Sequence, residues 1–377
     1  MRWLRPALAG VVLAAFTGAC SKDSIAPKSL ANPQATSAQL ASLDTIFSAP
    51  ALNSLSQVSA SVKASAPAPG TTLALAGMLQ PLAQSTDLGS YGRRLQDLVA
   101  FSRLIPRFSV QAATALFPDT LKGKTFEWDT TSNGYVATTR TGAPANGMRF
   151  ILYAIDPLTS SPAKPLTEVG YIDLMDESTT HPTLHVMVAG VGGAPVYVNY
   201  TVTLASQTTS SVVVTTAGYI TNGATSPDSV VFAGTITGSG SASSITVTED
   251  VSFDVNARDI HVRDWQQATV TQTSTSLKVS FRFEHGGEVV TLDGTLNVDT
   301  TAGTVSGTIT SHVDGGLFAT CTVNGTSTSF SLTCTGAVQG GLNADEQAAL
   351  HHLGDAAQNI SALFQKILGP ALTVLGA

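Results

Sequence analysis

Charge is what this 377-residue sequence has least of. Asp, Glu, Lys and Arg make up 12% of it, about half the usual share in globular proteins. That shortage excludes a long Glu/Lys-rich coiled coil. The 19 Lys and Arg are outnumbered by 26 Asp and Glu and form no basic run. No nucleic-acid partner is therefore expected, since one needs a clustered positive footprint. Aromatics stand at 6%, and only Trp128 and Trp265 lie beyond the first 20 residues, few for the Trp or Tyr platforms of carbohydrate-binding surfaces. The apolar run Ala7–Phe16 is about half of the roughly 20 residues a spanning helix requires. What fills the space left by charge is Ser and Thr, roughly 23% of the chain, together with 33 Gly. A mean hydropathy of +0.20 argues against charge-driven disorder.

The amino terminus carries an address. Arg2 and Arg5 precede the short apolar run, and small residues follow it, which is the pattern of a secretory signal peptide. The segment Thr17-Gly18-Ala19-Cys20 resembles the lipobox of bacterial lipoproteins, with Thr17 where those proteins usually carry Leu. The resemblance covers residues 1–20 only. It implies cleavage after Ala19 and lipid attachment at Cys20; ordinary secretion with cleavage near Ala19 is the alternative. Ser21 follows, with no Asp of the kind that retains such proteins in the inner membrane, so the resemblance favours a lipid anchor in the outer membrane of a bacterial envelope. Loss of Arg2 and Arg5 takes the net charge from −7 to −9. Residues 20–35 read as a lipid-anchored tether, being small, polar and punctuated by Pro.

With Cys20 set aside, Cys321 and Cys334 remain, and an oxidising compartment favours their disulfide over two buried thiols. The spacing leaves a conflict. A two-residue turn at Asn324-Gly325 would place Cys321 opposite Thr328, whereas direct pairing with Cys334 needs a wider loop, about Gly325–Phe330.

The mature chain divides by periodicity. Residues 36–117 show short apolar stripes at helical spacing (Leu40, Leu43 and Phe47; Leu52, Leu55 and Val58; Leu95, Leu98 and Val99), cut by Pro50, Pro67–Gly70, Pro81 and Pro106. Between 118 and 340 the period becomes 2. Val196, Val198, Tyr200, Val202 and Leu204 alternate with polar residues, as do Ile245, Val247, Val251, Phe253 and Val255, and Leu277, Val279, Phe281 and Phe283. Such strands bury one face and wet the other. Turn signals every 10–15 residues imply roughly 12–15 of them. The expected fold is mainly β with flanking α: a large antiparallel meander forming a barrel or half-barrel, with short N-terminal helices. In 341–377, Asn343 and Glu346 form a capping box. Leu350, Leu353, Ala357, Ile360, Phe364 and Ile367 then continue a long helix expected to pack on the β domain.

Candidate chemistry is sparse. Arg258–Trp265 (RDIHVRDW) is the densest polar cluster; on a strand, Asp259, His261 and Arg263 would share a face as an ion-paired ladder, and a buried His–Asp pair could act as a base. His181 and His185 have a helical ligand spacing, spoiled by Pro182 and by strand-like neighbours. Asp173, Asp176 and Glu177 could hold a cation or flank a glycosidic bond, but read more simply as a strand end and turn. There is no phosphate-cradling Gly loop, zinc signature or nucleophile elbow, so no cofactor, metal site or catalytic residue is assigned. The expectation is a secreted lipoprotein that binds or carries an apolar ligand or an envelope partner, similar only in outline to periplasmic lipoprotein carriers. The alternatives are an inert surface scaffold and, on the Arg258–Trp265 cluster, a hydrolase.

Overall fold

The computed structural model describes residues 26–46, 58, 116–356 apart from brief gaps at 157, 160, 209, 224–228, 242, 272, 300 and 327–328, and residues 368 and 371. A helix α1 (Pro33–Ile46) comes first. Fifteen strands follow: β1 (Lys124–Asp129), β2 (Gly134–Thr138), β3 (Gly147–Tyr153), β4 (Glu168–Asp176), β5 (Thr183–Ala189), β6 (Val196–Gln207), β7 (Ser211–Thr221) and β8 (Ser229–Gly240). The series continues through β9 (Ser244–Val255), β10 (Ile260–Thr271), β11 (Ser274–His285), β12 (Glu288–Asp299), β13 (Thr304–Val313), β14 (Gly316–Thr326) and β15 (Ser329–Gly336). The chain is helical again over 344–356, here α2.

All fifteen strands form one sheet, in the order β15 back through β3, then β1 and β2. The expected meander is thus present, with helices from both chain ends. The sheet is open, with β15 and β2 as its ends, so of the barrel and half-barrel expected it is not the closed form. One neighbouring pair, β1 with β3, departs from the antiparallel expectation and runs parallel.

Alternation decides which face is buried. Val198, Tyr200 and Val202 on β6, Val251, Phe253 and Val255 on β9, and Leu277, Val279, Phe281 and Phe283 on β11 are each at most 5% exposed. They belong to one continuous core that also contains Leu40 of α1, Val58, and Ala349, Leu350, Leu353 and Ala356 of α2. The helices therefore cover the apolar face, as a half-polar sheet requires. Glycines let bulky neighbours approach at two points on this face. A Cβ on Gly218 would lie 2.3 Å from that of Tyr200, and one on Gly307 would lie 2.6 Å from a Leu296 methyl.

Helix ends follow the sequence. The Asn32 Oδ1 accepts the Ala35 amide (3.0 Å), with Pro33 at the first helical position. The Asn343–Glu346 capping box forms in both directions, at 3.0 and 2.9 Å. Of the segment 20–35 expected to be a free tether, the described part is held against the sheet or helical. The Lys28 amide donates to the Leu317 carbonyl (3.0 Å), the Ala31 amide to Glu288 Oε1 (2.8 Å), and Leu30 is buried in the core. Lys28 Nζ also pairs with Asp314. Residues 26–32 are thus seated on the end of the sheet where β11–β12 and β13–β14 turn. Cys20, most of 36–117 and, apart from Leu368 and Ala371, the part of the expected long helix beyond 356 lie outside the described residues.

Hairpins reverse direction at each turn, which gives the sheet two rims. The first carries the β3–β4, β5–β6, β7–β8, β9–β10, β11–β12 and β13–β14 connections. Its tightest turns, Gly286-Gly287 and Asp314-Gly315, have positive φ at both central residues, the primed turn that suits twisted strands. The second rim is built on hydroxyls. Thr208 Oγ1 accepts the Ser210 and Ser211 amides (3.2 and 2.9 Å), and Ser241 Oγ those of Ser243 and Ser244 (both 3.3 Å). Thr271 Oγ1 accepts the Thr273 and Ser274 amides (3.3 and 3.0 Å), and Asp299 Oδ1 those of Thr301 and Ala302 (2.8 and 2.9 Å). Four successive turns on that rim therefore satisfy their amides in the same local way, which is one use of the abundant Ser and Thr.

Candidate functional site

The Arg258–Trp265 cluster straddles a bend and both faces of the sheet. A 3₁₀ turn, Asn256–Arg258, joins β9 to β10, and Asp259 adopts a left-handed conformation (φ 50°) before the strand begins. Asp259 is thus off the strand, correcting its expected place in the ladder. His261, Arg263 and Trp265 point outward, while Asp264 points into the apolar face and is 2% exposed.

The main partners of the outward residues come from β9. His261 Nδ1 is 2.6 Å from Asp254 Oδ1, its register mate, and His261 Nε2 is 3.6 Å from Asp259 Oδ1. Arg263 donates from Nε and a terminal nitrogen to the two Asp250 oxygens, at 2.9 and 2.7 Å. On β11 Arg282 pairs with Glu284 (2.7 Å), and Ser280 Oγ donates to Asp293 of β12 (2.6 Å). A ladder exists, but across strands. The His261 side chain is 45% exposed, so the buried His–Asp pair expected of a base is not what forms.

The Asp254 carboxylate, with Asp259 and Glu284 behind it, holds the His261 imidazolium above the usual imidazole range. A raised folded value means that this stabilisation is complete in acid and disappears as pH rises through the folded midpoint. Imidazole NMR should therefore show His261 titrating above a free histidine, with Asp254→Asn lowering the midpoint. An unchanged midpoint would break the assignment of Asp254 as its main partner.

The other sequence candidates separate. His185 lies on the outer face with Nδ1 2.8 Å from Glu177 Oε1 and Nε2 2.9 Å from Asn199 Oδ1; His181 sits in the β4–β5 turn, where its carbonyl accepts the Thr183 hydroxyl. Asp173 takes a two-pronged bond from Arg149, both distances 2.7 Å. Asp176 accepts the Leu116 and Ser178 amides. The three carboxylates thus have three separate tasks. Among the described residues no group of three His, Cys, Asp or Glu could hold a metal ion.

Cys321 and Cys334 are disulfide-bonded and stand directly opposite in register. The conflict over their turn is resolved because Asn324-Gly325 continues β14, paired with Ser331 and Phe330, and the last paired residues are Thr326 and Ser329.

A trio that sequence reading missed lies on the inner face. Glu249 and Gln266 are register mates on β9 and β10, and the Gln266 amide donates to Asp264 Oδ2 (2.7 Å). All three are at most 4% exposed. The signal was phase: Glu249 falls between Val247 and Val251 on the apolar side of the alternation. Elsewhere this face is mainly apolar, with the buried hydroxyls of Thr216, Thr275 and Ser311 among its strands. Beneath α2 there is a cavity of about 20 Å³, lined by Val279, Phe281, Leu292, Ile309, Cys321, Leu332, Leu350 and Gly354. That is room for about one water, against the several hundred Å³ of ordinary ligand pockets.

No known family, curated protein or solved structure matches this chain. Its chemistry must be read from the site itself. The outer face of β9–β12 offers paired charges in a row, and the inner face offers apolar packing around the Glu249, Asp264 and Gln266 trio and a few buried hydroxyls.

Proposed function

We propose that this protein is a binding module of the bacterial cell envelope, attached through lipid on Cys20, which meets an envelope partner through the outer face of β9–β12. One observation carries the reading: Asp254–His261, Asp250–Arg263, Arg282–Glu284 and Ser280–Asp293 form an ordered polar surface, while the apolar face opposite is already covered by the chain's own helices. Charged pairs fixed before contact favour selective and fast association more than raw affinity.

Photocrosslinking from Gln267 and Lys278 on the outer face, in living cells, tests it. One recurrent adduct, lost when Arg263 and Arg282 are both changed to Glu, is the expected result; no adduct from either position overturns the reading. A second reading, a carrier for an apolar ligand, draws on the mainly apolar inner face that α2 covers, since the cavity beneath Gly354 itself has room for only about one water. It requires α2 to lift, and native mass spectrometry of gently extracted protein would then find a stoichiometric lipid besides the anchor.

A further inference from the structure

We infer that the first rim of the sheet faces the bilayer and its turns touch the lipid headgroup region, while the second rim points away from the membrane. This inference rests on the lipid anchor proposed above and adds to it an orientation. Two independent observations lead to the same rim.

The first is the length of chain between anchor and sheet. Cys20 precedes Ala26 by six positions, at most about 20 Å of fully extended chain. From Ala26 to Ala31 the chain is held against the sheet. A Cβ on Gly316 would lie 2.6 Å from the Ala26 carbonyl oxygen and 2.8 Å from the Lys28 Cβ, so the segment lies directly on the β13–β14 turn. The Lys28 amide bond to Leu317, the Ala31 amide bond to Glu288 and the Lys28–Asp314 pair hold it there, with Leu30 buried behind. Strands β8 to β12 have 12 residues each, about 40 Å from rim to rim. A 20 Å lead that ends at one rim leaves the other beyond reach of the bilayer surface whenever the strands stand upright.

The second observation is where apolar side chains are left in water. Among the described residues five large hydrophobic side chains are well exposed: Val136, Leu158, Val191, Val231 and Val338. Leu158 and Val191, at 93% and 61% exposed, lie in the β3–β4 and β5–β6 connections of the first rim. Val338 follows β15 at that rim, and Val231 is two positions into β8 from it. On the second rim the turns from β6–β7 to β12–β13 are closed by Thr208, Ser241, Thr271 and Asp299. Apolar tips lose unfavourable contact with water at a headgroup boundary, whereas hydroxyl tips gain nothing there.

The test uses the full chain, extracted with its lipid and reconstituted in phosphatidylethanolamine–phosphatidylglycerol vesicles carrying a headgroup spin label. A fluorophore is placed at Leu158→Cys or Val191→Cys for the first rim, and at Thr273→Cys or Thr301→Cys for the second; all four positions are exposed. The expected result is quenching several-fold stronger at 158 and 191 than at 273 and 301, with the difference shrinking when a long Gly-Ser linker is inserted after Ser21. Equal quenching at both rims of a chain whose mass shows the lipid overturns the orientation alone. A mass showing an unmodified Cys20 overturns the anchor and the orientation together.

Discussion

Arg149→Met should lower the unfolding free energy by about 3 kcal/mol, the usual loss when one partner of a buried ion pair is removed. Arg149 on β3 and Asp173 on β4 are register mates, joined by two bonds of 2.7 Å. Their side chains are 18% and 4% exposed, and the guanidinium lies 3.6 Å over the Tyr171 ring. Removing the cation strands a carboxylate away from water. Arg149→Met combined with Asp173→Leu should regain most of the loss, because two apolar groups leave nothing unpaired. Urea midpoints at constant slope measure both. Equal destabilisation of the single and double variants would refute the idea that the stranded charge causes the loss.

The Cys321→Ala/Cys334→Ala variant should be less stable by about 3 kcal/mol, the loop-entropy value for a closed segment of this size; the bond spans a separation of 13 residues. Its position adds to the effect. β15 is an end strand and pairs only with β14, so without the cross-link it is held by one ladder alone. Amide exchange in β15 should accelerate more than in β9 or β10, and reduction of the unmodified protein should reproduce the shift. Unchanged exchange in β15, with an unchanged urea midpoint, would leave the disulfide no stabilising role.

Much of the sheet was legible because burial on one face imposes a period of 2. The apolar positions of β6, β9 and β11 fall on the buried side, and the hydroxyl positions between them on the wet side. Features set by partners far along the chain were not legible. Asn324-Gly325 is a strong local turn signal, yet β13 continues opposite as far as Thr304, which pairs with Thr326; the ladder outweighs the local preference. Residues 26–32 have the composition of a linker, but Leu30 finds the core and Glu288 finds the Ala31 amide, contacts no local pattern announces. His261 was read with Asp259 on its own chain segment, whereas antiparallel register brings Asp254 closer. Glu249 was in phase all along, and only its charge concealed that it faces inward.

The strand order has a kinetic consequence. From β4 to β14 each strand pairs with the strand before it and the strand after it. Low contact order of this kind needs no long loop closure, and each new hairpin arm can add to the one already formed. A chain delivered from its amino terminus can therefore grow its sheet as it emerges. The cover α2 follows the last strand in sequence, so the part of the apolar face beneath it stays open until the whole sheet has arrived. During that interval the half-built sheet is at its most adhesive, and a holding chaperone would have its longest period of work.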